Sequence, residues 1–380
     1  MVLQAMLPKH KSTTKRVMQT PKALDLEITH QCNLRCSYCS FFTSASDVKQ
    51  ELPTEVWLSF FGELNRCAVL NVTLSGGEVF CRNDLPDLIE GIVQNRMRFN
   101  LLSNGTLISE EIAEFLASTG RCDGVQVSID GASPFVHDSH RGQGNFARAI
   151  KGIELLLKHE IPVPVRVTIH KQNVRDLENI ARLLLEEIGL PGFSTNSAGY
   201  MGLCRQNSEQ VQLTIEEHCL AMETLVALNQ EYENRIQASA GPLANVRMWT
   251  KMEDAFQAGE ESLEGKGTLS ACNGVFHKLA VRPDGVIVPC SLLSHIELGK
   301  INQCNLRDVW ANHPELEKLR HQHVKSLKDF DFCKGCDYIA YCTGGCPGSA
   351  YYLMQDAFHP SSNGCYKRFL EAGGRLPAYS

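Results

Sequence analysis

The sequence has no excess of basic residues: 37 Lys and Arg stand against 43 Asp and Glu, a net charge of −6. A nucleic-acid binder carries the opposite balance, so no nucleic-acid partner is expected. No apolar run approaches the roughly 18 residues of a spanning helix, so no membrane role is expected either. The first twenty residues are mildly basic (Lys9, Lys11, Lys15, Arg16) but lack the apolar stretch of a signal peptide. They read as a disordered leader over 1–20, and the protein reads as soluble and cytoplasmic. There is no internal repeat and no low-complexity tract. Apolar residues make up 43% of the chain, enough for a core that needs no disulfide staples.

What the chain has in plenty is cysteine: 16 residues in 380. Without a secretion signal, clustered cysteines read as metal ligands. Three fall within eight residues near the N-terminus, and seven lie between 272 and 365. The other six are scattered (Cys67, Cys81, Cys122, Cys204, Cys219, Cys304) and read as small buried apolar residues. Cys304, inside the second cysteine-rich region, is the best candidate among them for an extra ligand.

From about 22 to 210 the pattern alternates strand and helix. Strands are expected at 23–29, 70–74, 99–103, 125–130, 163–170 and 193–198. Helices are expected at 54–67, 85–97, 109–118, 146–159 and 174–188, with Ser109 as an N-cap. Repeated βα units imply an α/β fold with a parallel sheet, and six units suit a partial barrel or an open sheet equally. In both, functional residues belong at the C-terminal strand ends. Residues 212–265 read as mostly helical, 259–267 as a Gly- and Glu-rich linker or mobile loop, and 278–281 with 286–288 as a hairpin turning at Gly285.

The N-terminal triplet is Cys32-Asn33-Leu34-Arg35-Cys36-Ser37-Tyr38-Cys39, directly after the first strand. Three thiolates can hold three irons of a cubane and leave the fourth open. An open metal position is what a site needs when something other than protein must bind there. A structural zinc with His30 as fourth ligand is the competing reading. Ser75-Gly76-Gly77-Glu78 ends the second strand, Ser103-Asn104-Gly105 the third and Ser128-Ile129-Asp130-Gly131 the fourth, and His137-Asp138-Ser139-His140-Arg141 follows.

With these motifs the chain resembles the radical S-adenosylmethionine superfamily, whose signature is three cysteines at this spacing. The resemblance spans the whole βα region and implies a partial (β/α)6 TIM-type barrel over 21–211. It implies that Cys32, Cys36 and Cys39 bind a 4Fe–4S cluster whose open iron takes S-adenosyl-L-methionine. It further implies that Gly76, Gly77 and Glu78 hold the methionine amino group, that Ser128 and Arg141 hold the ribose and carboxylate, and that Tyr38 lies near the adenine. Asn104 joins the cofactor-binding set from its strand end. Where the family has proline after the Gly-Gly-Glu motif, this chain has Val79. His137 and His140 read as polar residues near the pocket.

The C-terminal cysteines are Cys272, Cys290, Cys333, Cys336, Cys342, Cys346 and Cys365. A zinc ribbon would explain Cys333 and Cys336 but not seven ligands. In this order they resemble the SPASM extension of peptide-modifying radical enzymes, which carries two auxiliary clusters, for three 4Fe–4S clusters in all. The resemblance puts Cys333, Cys336, Cys342 and Cys365 on one auxiliary cluster and Cys272, Cys290 and Cys346 on the other. Some relatives have an eighth cysteine where this chain has Lys266, so the second set is expected to lack a fourth cysteine. The expected domains are a helical bridge at 212–270, the SPASM extension at 271–368 and a tail at 369–380.

By resemblance the function is maturation of a ribosomally made precursor peptide, with an intramolecular cross-link as product. The short segment before the first strand leaves no room for a leader-gripping module, so a separate leader-recognition protein, or leader binding through the barrel or the extension, is expected, with flavodoxin or ferredoxin as electron donor. Residues 36–46, 70–77 and 369–377 resemble a subgroup from a cyanobacterial cassette with a chlorinase and a methyltransferase (the SynChlorMet type). Three other readings compete. A sulfatase-maturing enzyme would have the eighth cysteine and an acidic residue where Ser291 stands. An enzyme of quinone-cofactor synthesis and a non-catalytic iron–sulfur electron carrier are the others.

Overall fold

The computed structural model describes residues 17–43, 51–269 and 272–377. Sixteen of the twenty leader residues therefore lie outside the described residues, as does part of the segment after Cys39. Among the last of the twenty, the Met18 backbone is held: Trp310 donates its indole N–H to Met18 O at 2.8 Å.

Six parallel strands form the centre of one sheet: β1 (Ala23–Thr29), β2 (Asn71–Gly76), β3 (Arg98–Ser103), β4 (Cys122–Ser128), β5 (Val165–Ile169) and β6 (Phe193–Ser197), in sequence order. Each agrees with an expected strand to within three residues at either end. The connecting helices are α1 (Thr54–Arg66), α2 (Leu85–Gln94), α3 (Glu110–Ser118), α4 (Pro134–Arg141), α5 (Asn145–Lys158) and α6 (Leu177–Arg182), the last running on into a π-helical turn at Leu183–Glu187. Ser109 caps α3 as expected, its side chain accepting from Ile112 N. The short α4 was not expected; its buried residues are polar, so it carries no apolar stripe to read.

Alternation along the strands sets the character of the two sheet faces. Leu24, Leu26, Val72, Leu74, Phe99, Leu101, Val125, Val127, Val165 and Val167 are fully buried against the helices. Their alternate neighbours (Ser75, Gln126, Ser128, Arg166, Thr168, Ser194, Asn196) point to the other face. Residues from all six strands or the loops at their C-terminal ends line one cavity, so the sheet curls into a partial barrel with a polar lumen.

Two additions extend the sheet. The region read as a helical bridge holds α9 (Ile215–Glu231) and α10 (Pro242–Gln257), after two short helices, α7 (Gly202–Gln206) and α8 (Ser208–Val211). Between α9 and α10 lies a strand, β7 (Ile236–Ala238), which pairs parallel with β6. At the other edge the hairpin β8 (Lys278–Val281) and β9 (Val286–Val288) matches its expected limits, with Gly285 at φ 82° in the turn. Strand β8 pairs in parallel with β1, and β10 (Gly299–Lys300) continues the sheet beyond β9. The C-terminal region is thus built onto the barrel sheet.

The stretch 259–267 is not a free linker. Leu263 N donates to Ala340 O, Gly267 N to Cys342 O, and Leu327 N to Gly267 O. Its Gly and Glu content reads as a loop, but its backbone is hydrogen-bonded along the cysteine-rich region. The remaining helices are α11 (Leu306–Asn312), α12 (Pro314–Arg320), α13 (Pro347–Met354) and α14 (Tyr366–Glu371). The expected boundary at 368 falls inside α14, whose Phe369 packs on Trp249 at 4.6 Å between ring centroids.

Candidate active site and cluster sites

At the C-terminal ends of the strands a cavity of about 310 Å³ is lined by Cys32, Cys36, Tyr38, Cys39, Gly76, Gly77, Asn104, Ser128 and Arg141. These are all the residues expected at the cofactor site except Glu78.

The loop carrying the three cysteines is held from several sides. Glu51 accepts from the Thr29 hydroxyl and from His30 N at 3.1 Å, where β1 runs into the loop. The Gly76-Gly77 turn lies directly against this segment. A Cβ on Gly76 would sit 2.3 Å from Thr29 O, and one on Gly77 would sit 2.2 Å from Gln31 O. The glycines are therefore required by the close approach of two backbones, before any ligand is considered. Gly77 N and Glu78 N close this contact with hydrogen bonds to Thr29 O and Gln31 O.

Glu78 is buried and turned away from the cavity. Its carboxylate accepts from Ser103 Oγ at 2.8 Å and Asn104 N at 2.7 Å. Burial pushes its pKa up to about 7 against these hydrogen bonds. Its side chain thus ties the β2 turn to the β3 turn, and it reaches the cavity only through Ser103 and Asn104.

Behind the cysteine loop lies a buried polar group. Arg141 Nε donates to Asp130 Oδ2 at 2.5 Å, with Asp130 fully buried. The Tyr38 hydroxyl donates to the same carboxylate oxygen. Thr168 N donates to Asp130 Oδ1 at 2.7 Å. The Arg141 guanidinium holds the Asp130 carboxyl below its ordinary value despite burial, and burial drives the Tyr38 hydroxyl up. His140 contacts the Ser37 hydroxyl through Nδ1 and Gln172 Oε1 at 2.6 Å through Nε2. His137 Nδ1 accepts from Asp130 N at 3.2 Å. Burial pushes the pKa of His137 down to about 4 and that of His170 to about 3, so both rings are neutral.

Sequence reasoning missed Asp130, His170 and the lumen residues Gln126, Thr168 and Asn196. Asp130 stood inside a quoted motif, but its partners lie 11 residues on and 92 residues back. The lumen residues follow from strand parity once the strands are placed.

The C-terminal cysteines separate into two sets. Cys333, Cys336, Cys342, Cys346 and Cys365 all line a second cavity of about 290 Å³, and the grouping shows in which thiols act on one another. Cys342, Cys336 and Cys365 all act electrostatically on the Cys333 thiol. Cys346 and Cys272 act on Cys290. Cys304 joins neither set; its thiol donates to Lys300 O at 3.2 Å beside Gly299. Cys81 lies near Cys32, whose thiol it influences, but it does not line the cavity.

Among the described residues no three His, Cys, Asp or Glu side chains converge on a single metal ion. A cubane takes its thiolates at separate corners, so its ligands stand further apart than those of zinc. Burial raises Cys32 to about 12 and Cys36 to about 11, so their thiolates need a positive partner. The three cysteines share one cavity wall with backbone turns and an arginine, a donor set that fits an iron–sulfur cluster with an amino-acid ligand.

Comparison with known proteins agrees with this geometry. The Radical SAM superfamily matches residues 26–184, and the iron-sulfur cluster-binding SPASM domain matches 272–337. The chain is 26% identical over 347 residues to a PqqA peptide cyclase of Granulibacter bethesdensis, covering 89% of this chain and 86% of that protein. It is 27% identical over 339 residues to an AdoMet-dependent heme synthase of Methanosarcina barkeri, covering 88% and 94%. Streptococcus suis SuiB bound to S-adenosylmethionine superposes with a TM-score of 0.68 at 17% identity, covering 92% of this chain and 78% of that one. The chain is an enzyme of the radical SAM superfamily with a C-terminal SPASM iron–sulfur domain.

Proposed function

We propose that this enzyme is a peptide maturase that forms an intramolecular cross-link in a ribosomally made precursor. The observation that carries this reading is the single cavity shared by Cys32, Cys36, Cys39, the Gly76-Gly77 turn, Ser128 and Arg141. Three 4Fe–4S clusters are proposed on ten cysteines: Cys32, Cys36 and Cys39 at the cavity, Cys333, Cys336, Cys342 and Cys365 on one auxiliary cluster, and Cys272, Cys290 and Cys346 on the other. The cluster and S-adenosyl-L-methionine at the cavity would together supply a 5′-deoxyadenosyl radical that takes a hydrogen atom from the substrate.

The protein's own part is positioning. The Gly76-Gly77 backbone offers carbonyls to an amino group, and Glu78 keeps that turn against Asn104. Arg141 offers the part of its guanidinium not bound to Asp130 to a carboxylate. Ser128 offers a hydroxyl to the ribose. Tyr38, anchored on Asp130, fixes the cysteine loop beside the space for the adenine. A precursor peptide, a separate leader-recognition protein, a flavodoxin- or ferredoxin-like donor and a cytoplasmic setting complete the proposal. Among the described residues no helix is long and apolar enough to cross a membrane.

The peptide reading is supported by relatives named as PqqA peptide cyclases and as the subtilosin biosynthesis protein AlbA of Bacillus subtilis. The heme synthase relative favours a tetrapyrrole substrate as the second reading. The first test is reductive cleavage: reconstituted protein with dithionite should turn S-adenosylmethionine into 5′-deoxyadenosine, and no cleavage by fully loaded protein overturns the enzyme mechanism. Co-expression with a short peptide encoded beside the gene, followed by mass spectrometry, should show loss of two hydrogens. An unmodified peptide together with a porphyrin Soret band in the purified protein would favour the second reading.

A further inference from the structure

Among the described residues, Arg166 faces the barrel lumen with no acidic group against it. On β5, Val165, Val167 and Ile169 are buried under the helices, so Arg166 and Thr168 face the lumen. Arg166 stands in register with Ser128 of β4 and Ser194 of β6. Its Nε is buried without a hydrogen-bond partner, and no ion pair is found for its guanidinium among the described residues. Burial pushes its pKa down with no acidic group opposing, yet an arginine remains charged. Arg141, the arginine that lines the cavity, is already paired with Asp130 at 2.5 Å.

Asn196 adds a second unpartnered atom. It lies two residues beyond Ser194 on β6, lines the cavity and buries an Oδ1 that accepts no hydrogen bond. A donor and an acceptor left open on neighbouring strands cost free energy unless a ligand meets them. The cysteines and the two backbone turns occupy the β1–β3 side of the cavity. Thr168 and Asn196 line the β5–β6 wall that is left over, and Arg166 stands two residues below Thr168, beneath that lining.

We propose that Arg166 is a carboxylate-binding subsite for the substrate, taking an acidic side chain of the peptide while Asn196 Oδ1 accepts a neighbouring backbone N–H. This rests on the peptide reading above. A carboxylate suits the guanidinium because two parallel N–H donors meet two oxygens.

The test uses cluster-loaded protein and two blocked tripeptides, acetyl-Ala-Glu-Ala-amide and acetyl-Ala-Gln-Ala-amide, with binding read by saturation-transfer NMR. The Glu peptide should bind at least about tenfold more tightly, the value of one charged hydrogen bond. The preference should survive saturating S-adenosylmethionine and vanish in Arg166→Met. Arg166→Lys, which keeps the charge but not the paired donors, should retain a reduced preference. Equal or absent binding of the two peptides overturns the proposal, as does a full preference in either variant. Displacement of the Glu peptide by S-adenosylmethionine also overturns it, because the subsite then belongs to the cofactor's carboxylate. Protein that cleaves no S-adenosylmethionine but prefers the Glu peptide would sink the radical mechanism and leave the subsite standing.

Discussion

A carboxylate with no solvent contact needs a counter-charge, and Asp130 has Arg141 at 2.5 Å. The same carboxylate takes the Tyr38 hydroxyl and Thr168 N, so it joins β4, β5, α4 and the cysteine loop. Removing one member of a buried pair typically costs about 3–5 kcal/mol, because the other charge is left uncompensated. Asp130→Asn should lower stability by that order in denaturant titration. Tyr38→Phe removes one hydrogen bond and should cost about 1 kcal/mol. The double variant should fall short of the sum, since both act on one carboxylate. The turn glycines make a second test. Gly77→Ala forces a Cβ to 2.2 Å from Gln31 O, beside Cys32, whereas Gly189 at φ 77° has nothing within 4 Å. Gly77→Ala should cut the iron retained after reconstitution, and Gly189→Ala should cost about 1 kcal/mol of backbone strain with full iron. Equal iron in both would show that the close approach does not shape the cysteine loop. At this scale residue types were legible because thiolate and glycine chemistry is local. The contacts of Glu78 and Asp130 were not, because each needs strands placed side by side.

Elements repeat the lesson through packing. The six central strands were legible because each alternates buried and lumen-facing positions, and the hairpin because Gly285 marks its turn. Strand β7 was not: three residues give no period, and its pairing depends on β6. Helices α9, α10 and α14 meet in an aromatic stack in which Trp249 lies 5.9 Å from His218, 5.4 Å from Tyr366 and 4.6 Å from Phe369 between ring centroids. Burial there pushes the His218 pKa down to about 4. The unfolded chain titrates this histidine near 6.5. Above that pH neither state binds the proton and no stability is lost. As pH falls below it, the unfolded chain takes up a proton that the buried ring resists, so stability drops until the ring itself protonates near 4. His218→Phe should therefore show a shallower loss of Tm between pH 7 and pH 5 than the wild-type chain, both measured metal-free. Parallel curves would mean that His218 is not held neutral.

At the scale of the molecule, the sequence divides barrel from cysteine-rich region more sharply than the fold does. Composition changes after residue 258, and that change alone suggests a linker and a second domain. Yet β8 pairs with β1 over four residues, from Ala23 with Lys278 to Leu26 with Val281, and Lys278 bonds Asp25 at 2.5 Å. Leu306 N donates to Glu63 Oε1 at 2.7 Å and Asn302 Nδ2 to Val56 O at 2.8 Å, so α1 is bound from the same side. Strand β1 is the one that delivers Cys32. Without β8 its edge would present unpaired N–H and C=O groups next to the buried Leu24 and Leu26, a template for association with other chains. A chain ending at residue 269 should therefore aggregate on expression, even though it keeps all six central strands. If instead it were monomeric by sedimentation and bound iron through Cys32, Cys36 and Cys39, the hairpin would be an appendage. The two cysteine regions would then be coupled only through what passes between their clusters. If it aggregates while a full-length Cys290→Ala variant stays monomeric, the C-terminal backbone supports the barrel edge independently of its metal.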